Sequence, residues 1–250
     1  MKWLRHVLFY IAAGLVLAAA LAEIGMFIAN VRTRRKAETL LFAIRQLRLG
    51  ESTLSSTQKL RIDYGASIND NAAITGSAPE QLYTITLSNG SLSAASFAFP
   101  RLWRLGLKPW AVRVELRYRE GKLVFLRYLV GTPVLTASGE PIELAAETSV
   151  RADRSLEQHR NYGVGYFMRP SSIATKASEL HFGSVLTPEA TQDERDAAFD
   201  FDLSCLSTLR GCQAPCEIMP SVWREAKRRN ENKEISLPDE LLENSRCSAH

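Results

Sequence analysis

Apolar positions fall along this chain in three regimes: one unbroken run, then a spacing of threes and fours, then alternation in twos. The run extends from Val7 to Val31, where Glu23 is the only charge and Asn30 the only other strongly polar side chain. As a helix these 25 residues rise about 37 Å, enough to cross a hydrocarbon core of roughly 30 Å with some tilt. A transmembrane anchor is therefore expected over 7–31, with residues 1–6 as a short basic flank. From Arg34 to Leu49 the pattern turns helical and one-sided. Ala37, Leu40, Leu41, Ile44 and Leu47 share a stripe, with Arg45, Gln46 and Arg48 mostly opposite. Nothing between Val31 and Leu49 breaks a helix, so the anchor is expected to continue into a stalk whose stripe docks on the domain. Gly50 stops it, Ser52 or Thr53 caps a second helix, and Gly65 follows Tyr64 where a left-handed C-cap belongs. Residues 32–65 thus form a hairpin-like helical entrance.

Residues 66–80, rich in Ser, Asn, Gly and Ala, read as a loop. Alternation begins at Tyr83 to Leu87, and Ser88-Asn89-Gly90-Ser91 signals a tight turn into Leu92 to Phe99. Trp110 to Tyr118 sets Val112, Val114, Leu116 and Tyr118 against Arg113, Glu115 and Arg117. Arg119-Glu120-Gly121-Lys122 reverses the chain, and Leu123 to Val130 returns as a strand apolar on both faces. A further pair is expected at Pro133 to Ala137 and Ile142 to Val150. The fold class is α+β: a transmembrane helix, the helical entrance, then a mainly antiparallel sheet domain over 66–219. Residues 220–250 read as a short helix, Ser221 to Arg229, and a polar tail expected to be partly disordered.

The chain has 250 residues, a net charge of +4 and 46% apolar residues including the anchor, which leaves an ordinary globular composition for the rest. No linker, repeat or low-complexity tract divides it. The start is also signal-like, with Lys2 and Arg5 before the run and Ala20-Leu21-Ala22 as a small-x-small cleavage pattern. Yet Ile24 to Ala29 continue the run past that point, which favours an uncleaved anchor. Orientation is contested. Arg32, Arg34, Arg35 and Lys36 argue for a cytoplasmic domain by the positive-inside rule. Four cysteines, three of them between Cys205 and Cys216, argue for an oxidising compartment. The reading adopted is a single-pass protein of the cell membrane with its bulk extracytoplasmic. Cys205 with Cys212 is the first pairing, tying the last strand of the sheet to the C-terminal segment.

Charge adds one candidate surface. Between Arg101 and Arg127 eight cations face two carboxylates, a local net of +6. Arg101, Arg104, Arg113, Arg117, Arg119 and Lys122 are the binding candidates, and Trp103, Trp110, Tyr118, Phe125 and Tyr128 are interleaved. Such a face suits anionic phospholipid headgroups, a polyanionic glycan or nucleic acid, and the partners expected beyond the membrane are an envelope protein or anionic headgroups. Nucleic acid is disfavoured by the small overall charge and the anchor. The plainer alternative is a solvated strand face whose aromatics belong to the core. The acidic stretch from Glu189 to Asp202 can cover that face, and Phe199-Asp200-Phe201-Asp202 reads as a strand with its phenylalanines inward. Asp200 and Asp202 would hold a divalent cation only if other oxygens converged.

No Gly-x-Ser-x-Gly, His-Glu-x-x-His, phosphate loop or Gly-x-Gly-x-x-Gly is present. Gly163-Val164-Gly165 reads as a loop or bulge packed against aromatics, and no cofactor or metal is implied. The first functional reading is a membrane-anchored envelope binding or scaffolding module, with membrane lipid as the partner of its N-terminal helix. One alternative is an anchored hydrolase acting on envelope material, using His159 or His181 with a carboxylate such as Asp200. Another is a cytoplasmic-facing regulator.

Overall fold

A computed structural model describes residues 2–69, 80–89, 108–135, 141–151, 164–170, 179–208, 210–234 and 247. One helix, α1 (Lys2–Arg45), covers the expected anchor and stalk without interruption. Its most apolar stretch buries nothing: Phe9, Leu17, Leu21, Ile24 and Phe27 are all more than half exposed. From Asn30 onward the same helix becomes part of the core, with Ala37, Leu40 and Ile44 fully buried. The helix ends at Arg45, earlier than the expected Leu49, and Gly50 adopts φ 76° in the turn beyond. Helix α2 (Leu54–Tyr64) is capped by Thr53 in a reciprocal capping box with Ser56 and closed by Gly65 at φ 68°.

Seven strands form one sheet: β1 (Ser67–Asn69), β2 (Glu80–Ser88), β3 (Ala111–Arg119), β4 (Lys122–Leu135), β5 (Pro141–Arg151), β6 (Val164–Pro170) and β7 (Glu179–Leu186). Their order is β1-β2-β3-β4-β5-β7-β6, and every neighbouring pair is antiparallel except β5 with β7. The expected α+β class with a mainly antiparallel sheet is what the chain adopts. The β3–β4 turn carries Glu120 at φ 53° and Gly121 at φ 75°, the two left-handed residues of a type I′ hairpin.

Several sequence expectations are corrected. The strands expected at Leu123 to Val130 and Pro133 to Ala137 are one strand, because β4 stays in register with β5 as far as Leu135. The expected loop over 66–80 starts with the short edge strand β1. Val164 and Gly165 open strand β6 and do not form a bulge. The Phe199 to Asp202 segment is not a strand: it follows α3 (Gln192–Ala198) as irregular chain, with Phe199 and Phe201 buried and Asp202 exposed. The strand expected at Leu92 to Phe99 lies outside the described residues.

All four cysteines are paired, Cys205 with Cys212 as expected and Cys216 with Cys247. Cys205 sits in a 3-10 turn (Ser204–Ser207), so its bridge does not hold a strand. Cys216 belongs to α4 (Pro215–Ile218), which leads into α5 (Pro220–Glu231). The tail expected to be partly disordered is fixed at Cys247, which is buried and bridged.

One face of the sheet carries the core, covered by α1 beyond Asn30, α2, α3 and the C-terminal helices. Trp223 of α5 packs on Phe182, and Phe201 packs edge-on against Tyr128, ring centroids 5.7 and 4.9 Å apart. The Thr148 hydroxyl donates to the Ala198 carbonyl at 2.5 Å, which fixes the end of α3 to β5.

Candidate functional site

Two places combine polar groups with buried structure: the junction where α1 enters the domain, and the sheet face turned away from the core.

At the junction Asn30 is 9% exposed. Its side-chain amide donates to the Leu206 carbonyl at 3.2 Å, and its oxygen accepts from the Trp110 indole N–H at 2.6 Å. The single polar amide at the end of the apolar run therefore locks the helix to β3 and to the disulfide-bearing turn. Asn89 extends the same polar cluster. Its side chain accepts from the Trp110 backbone N–H and donates to the Lys108 carbonyl, both at 2.8 Å. Further along α1 the Tyr128 hydroxyl donates to the Ala37 carbonyl at 3.4 Å, and the Gly50 N–H donates to Leu123 at 2.8 Å. Trp110, Tyr128 and Leu123 mark successive levels of the β3–β4 pair, so these strands run along the helix. The Trp110 end is the one nearest the apolar first half of α1.

The outward sheet face is a grid set by register. One row contains Arg117, Phe125 and Arg151, direct partners across β3, β4 and β5. The next contains Glu115, Arg127 and Ser149, and the one after it Arg113, Leu129 and Glu147. Ion pairs cross between rows. Arg127 meets Glu115 at 3.6 Å and Glu147 at 2.5 Å, and Glu147 meets His181 Nε2 of β7 at 2.8 Å. Burial opposes ionisation of Glu147, but the His181 hydrogen bond and the Arg127 guanidinium outweigh it. Its carboxyl therefore lies below the usual glutamate value. Glu80 holds Arg119 in the same way at the far end of the face.

Of the expected binding residues, this face gathers Arg113, Arg117, Arg119 and Lys122, while Arg101 and Arg104 lie outside the described residues. Arg113 is exposed, and the Arg117 guanidinium lies 4.6 Å from the Phe125 ring centroid. The expected aromatic face is corrected. Trp110, Tyr118 and Tyr128 are buried on the core side, since they alternate with the arginines, while Phe125 shares the basic side and Trp103 lies outside the described residues. Burial pushes the Tyr118 hydroxyl up to about 12, against the lowering effect of its hydrogen bond with Thr57. The acidic stretch does not cover the basic face. Asp196 pairs with Arg45 of α1 at 2.9 Å, and Arg195 donates to the Leu47 carbonyl at 3.1 Å.

For the hydrolase reading, His159 lies outside the described residues, and the carboxylate beside His181 is Glu147 and not Asp200. Asp200 accepts from the Ser221 hydroxyl at 2.5 Å, whereas Asp202 accepts from the Ser204 N–H at 2.8 Å. Among the described residues no three His, Cys, Asp or Glu side chains are grouped to hold a metal ion. A cleft of about 430 Å³ lies between α2 and the core side of the sheet, lined by Leu54, Leu60, Tyr83, Ile85 and Leu116 with Arg61. It is on the opposite face from His181. Sequence reasoning passed over Glu147 and Arg151. Both sit on β5, where residues 144–150 are buried on both faces and alternation disappears.

Compared with known protein families, curated proteins and solved structures, the chain matches none.

Proposed function

We propose that this chain is a single-pass membrane protein whose extracytoplasmic domain is a binding or scaffolding module, without catalysis of its own. One observation carries the reading. The same helix is bare up to Ala29 and built into the core from Asn30, so a bilayer is the natural cover for its first half. The two disulfides support an oxidising compartment for the domain. The opposing positive-inside argument is weakened at Arg34, whose side chain is only 19% exposed and is paired with Glu38 one turn along α1. A domain held this way has no flexible tether and presents its outward sheet face at a fixed height. That suits recognition of an envelope partner.

The test has two arms. The full chain should remain in the membrane pellet after alkaline carbonate, and the domain cysteines should resist thiol labelling in permeabilised cells until a reductant is added. Extraction as a freely soluble protein, or labelling without reductant, sinks the anchored extracytoplasmic reading. A photo-crosslinker placed at position 113 should then give discrete adducts that are lost on Arg117→Glu. No adduct above background removes the binding module.

A further inference from the structure

Resting on that binding reading, we propose that Arg117 and Arg151, set on either side of Phe125, form a site for a phosphate group on the outward sheet face. The face has a definite electrostatic account. Glu115 and Glu147 are both taken by Arg127, and Glu80 by Arg119. Arg117 and Arg151 are left without a carboxylate partner among the described residues.

Both cations nevertheless rest against the same ring. Their guanidinium carbons lie 4.6 and 5.5 Å from the same Phe125 ring centroid, because the three residues are direct neighbours across β3, β4 and β5. The ring offers each cation a stacking platform and orients both forks. In both residues Nε is buried without a hydrogen-bond partner, as it is in Arg127, but unlike Arg127 neither has an ion pair to a carboxylate among the described residues. The β3–β4 register slips between Arg117 and Tyr118, beside this row, and a bulge there re-aims the flanking side chains. Two guanidinium forks flanking one ring suit the several oxygens of a phosphate better than a single carboxylate.

The position also restricts the source. Arg117 is seven residues beyond Trp110 along β3, or about 23 Å from the anchor end of the domain. Headgroups of the protein's own bilayer are too far away. The phosphate comes either from a free phosphorylated solute or from the headgroup of a facing membrane.

The experiment uses the full chain in neutral phosphatidylcholine nanodiscs, in chloride buffer, with two probes: inorganic phosphate by calorimetry, and vesicles containing phosphatidic acid by co-flotation. Saturable binding of either probe is expected. It should weaken about tenfold in Arg117→Lys and in Arg151→Lys, which keep the charge but lose the fork and the stacking, and change less than about twofold in Arg224→Gln, an exposed arginine of α5. Binding of phosphate assigns a solute, and vesicle capture alone assigns a facing membrane. Arginine modification by phenylglyoxal, mapped on the unaltered protein, should be blocked by the bound probe at positions 117 and 151. Absence of binding to both probes overturns the site, as does equal loss in Arg224→Gln, which would mean diffuse charge attraction. Adducts from position 113 without phosphate binding overturn this site alone. Phosphate binding without adducts overturns the broader reading instead.

Discussion

Asn30 does two unlike jobs with one side chain: it ends the apolar run and accepts the Trp110 indole N–H while donating to Leu206. Replacing it by leucine keeps the volume and removes both bonds, leaving a buried indole donor and a buried carbonyl unpaired. A loss of about 2–4 kcal/mol is expected. The urea midpoint of the full chain in micelles, followed by tryptophan fluorescence, should fall accordingly at unchanged slope. Glu147 makes a second residue-scale prediction, and its sign follows from its environment. Burial raises its carboxyl, and His181 with Arg127 more than offset this, so the folded value lies below the unfolded one. Such a group contributes stability that is complete above the unfolded value of about 4.3 and is lost as pH falls through the folded value. Glu147→Gln should therefore lower stability at neutral pH and flatten the acid limb below about pH 5. Parallel stability curves for the two proteins would remove Glu147 from the acid response.

The elements that local chemistry defines were legible from sequence, and those defined by distant contacts were not. The long helix, the Thr53 and Gly65 caps and the β3–β4 hairpin each follow from a few adjacent residues whose preferences agree. β5 carries no alternation, because residues 144–150 are covered on both faces, and the insertion of β7 between β5 and β6 leaves no local mark at all. Half of the basic face was readable for the same reason: Arg113 and Arg117 alternate with a visible core pattern, whereas Arg151 reaches Phe125 only through sheet register. Phe199 and Phe201 point inward as expected, but from irregular chain, since the helix before them sets their direction. The disulfides separate these two kinds of information. Cys205–Cys212 closes a short loop of sequence separation 7 and was foreseeable, while Cys216–Cys247 spans 31. Chain entropy assigns about 2.4 kcal/mol to the first and about 3.7 kcal/mol to the second. Serine pairs at 216 and 247 should thus lower the thermal midpoint more than serine pairs at 205 and 212, by calorimetry of the oxidised proteins. The reverse order would mean that the Asn30 junction depends on the short bridge more than the tail does on the long one.

At the scale of the whole molecule, helix and sheet are parallel rods fastened at three heights. From Asn30 to Arg45 the helix climbs about 22 Å. Over the same rise the β3–β4 pair passes from Trp110 through Tyr128 to Leu123, with a hydrogen bond to the helix or its following turn at each level. A domain fastened only at its base could swing about the apolar half of α1, but one fastened along its length has to stand in line with it. The Glu120-Gly121 turn then becomes the far end, and the chain beside Gly211, which packs against Lys108, becomes the near one. Fluorophores at positions 120 and 210 of the full chain, in vesicles carrying a headgroup nitroxide, should report this directly. Strong quenching is expected at 210 and none at 120, since about 30 Å exceeds the reach of contact quenching. Equal quenching at both would mean a hinge between Ala29 and Asn30, and the outward face would then have no fixed height from which to meet a partner.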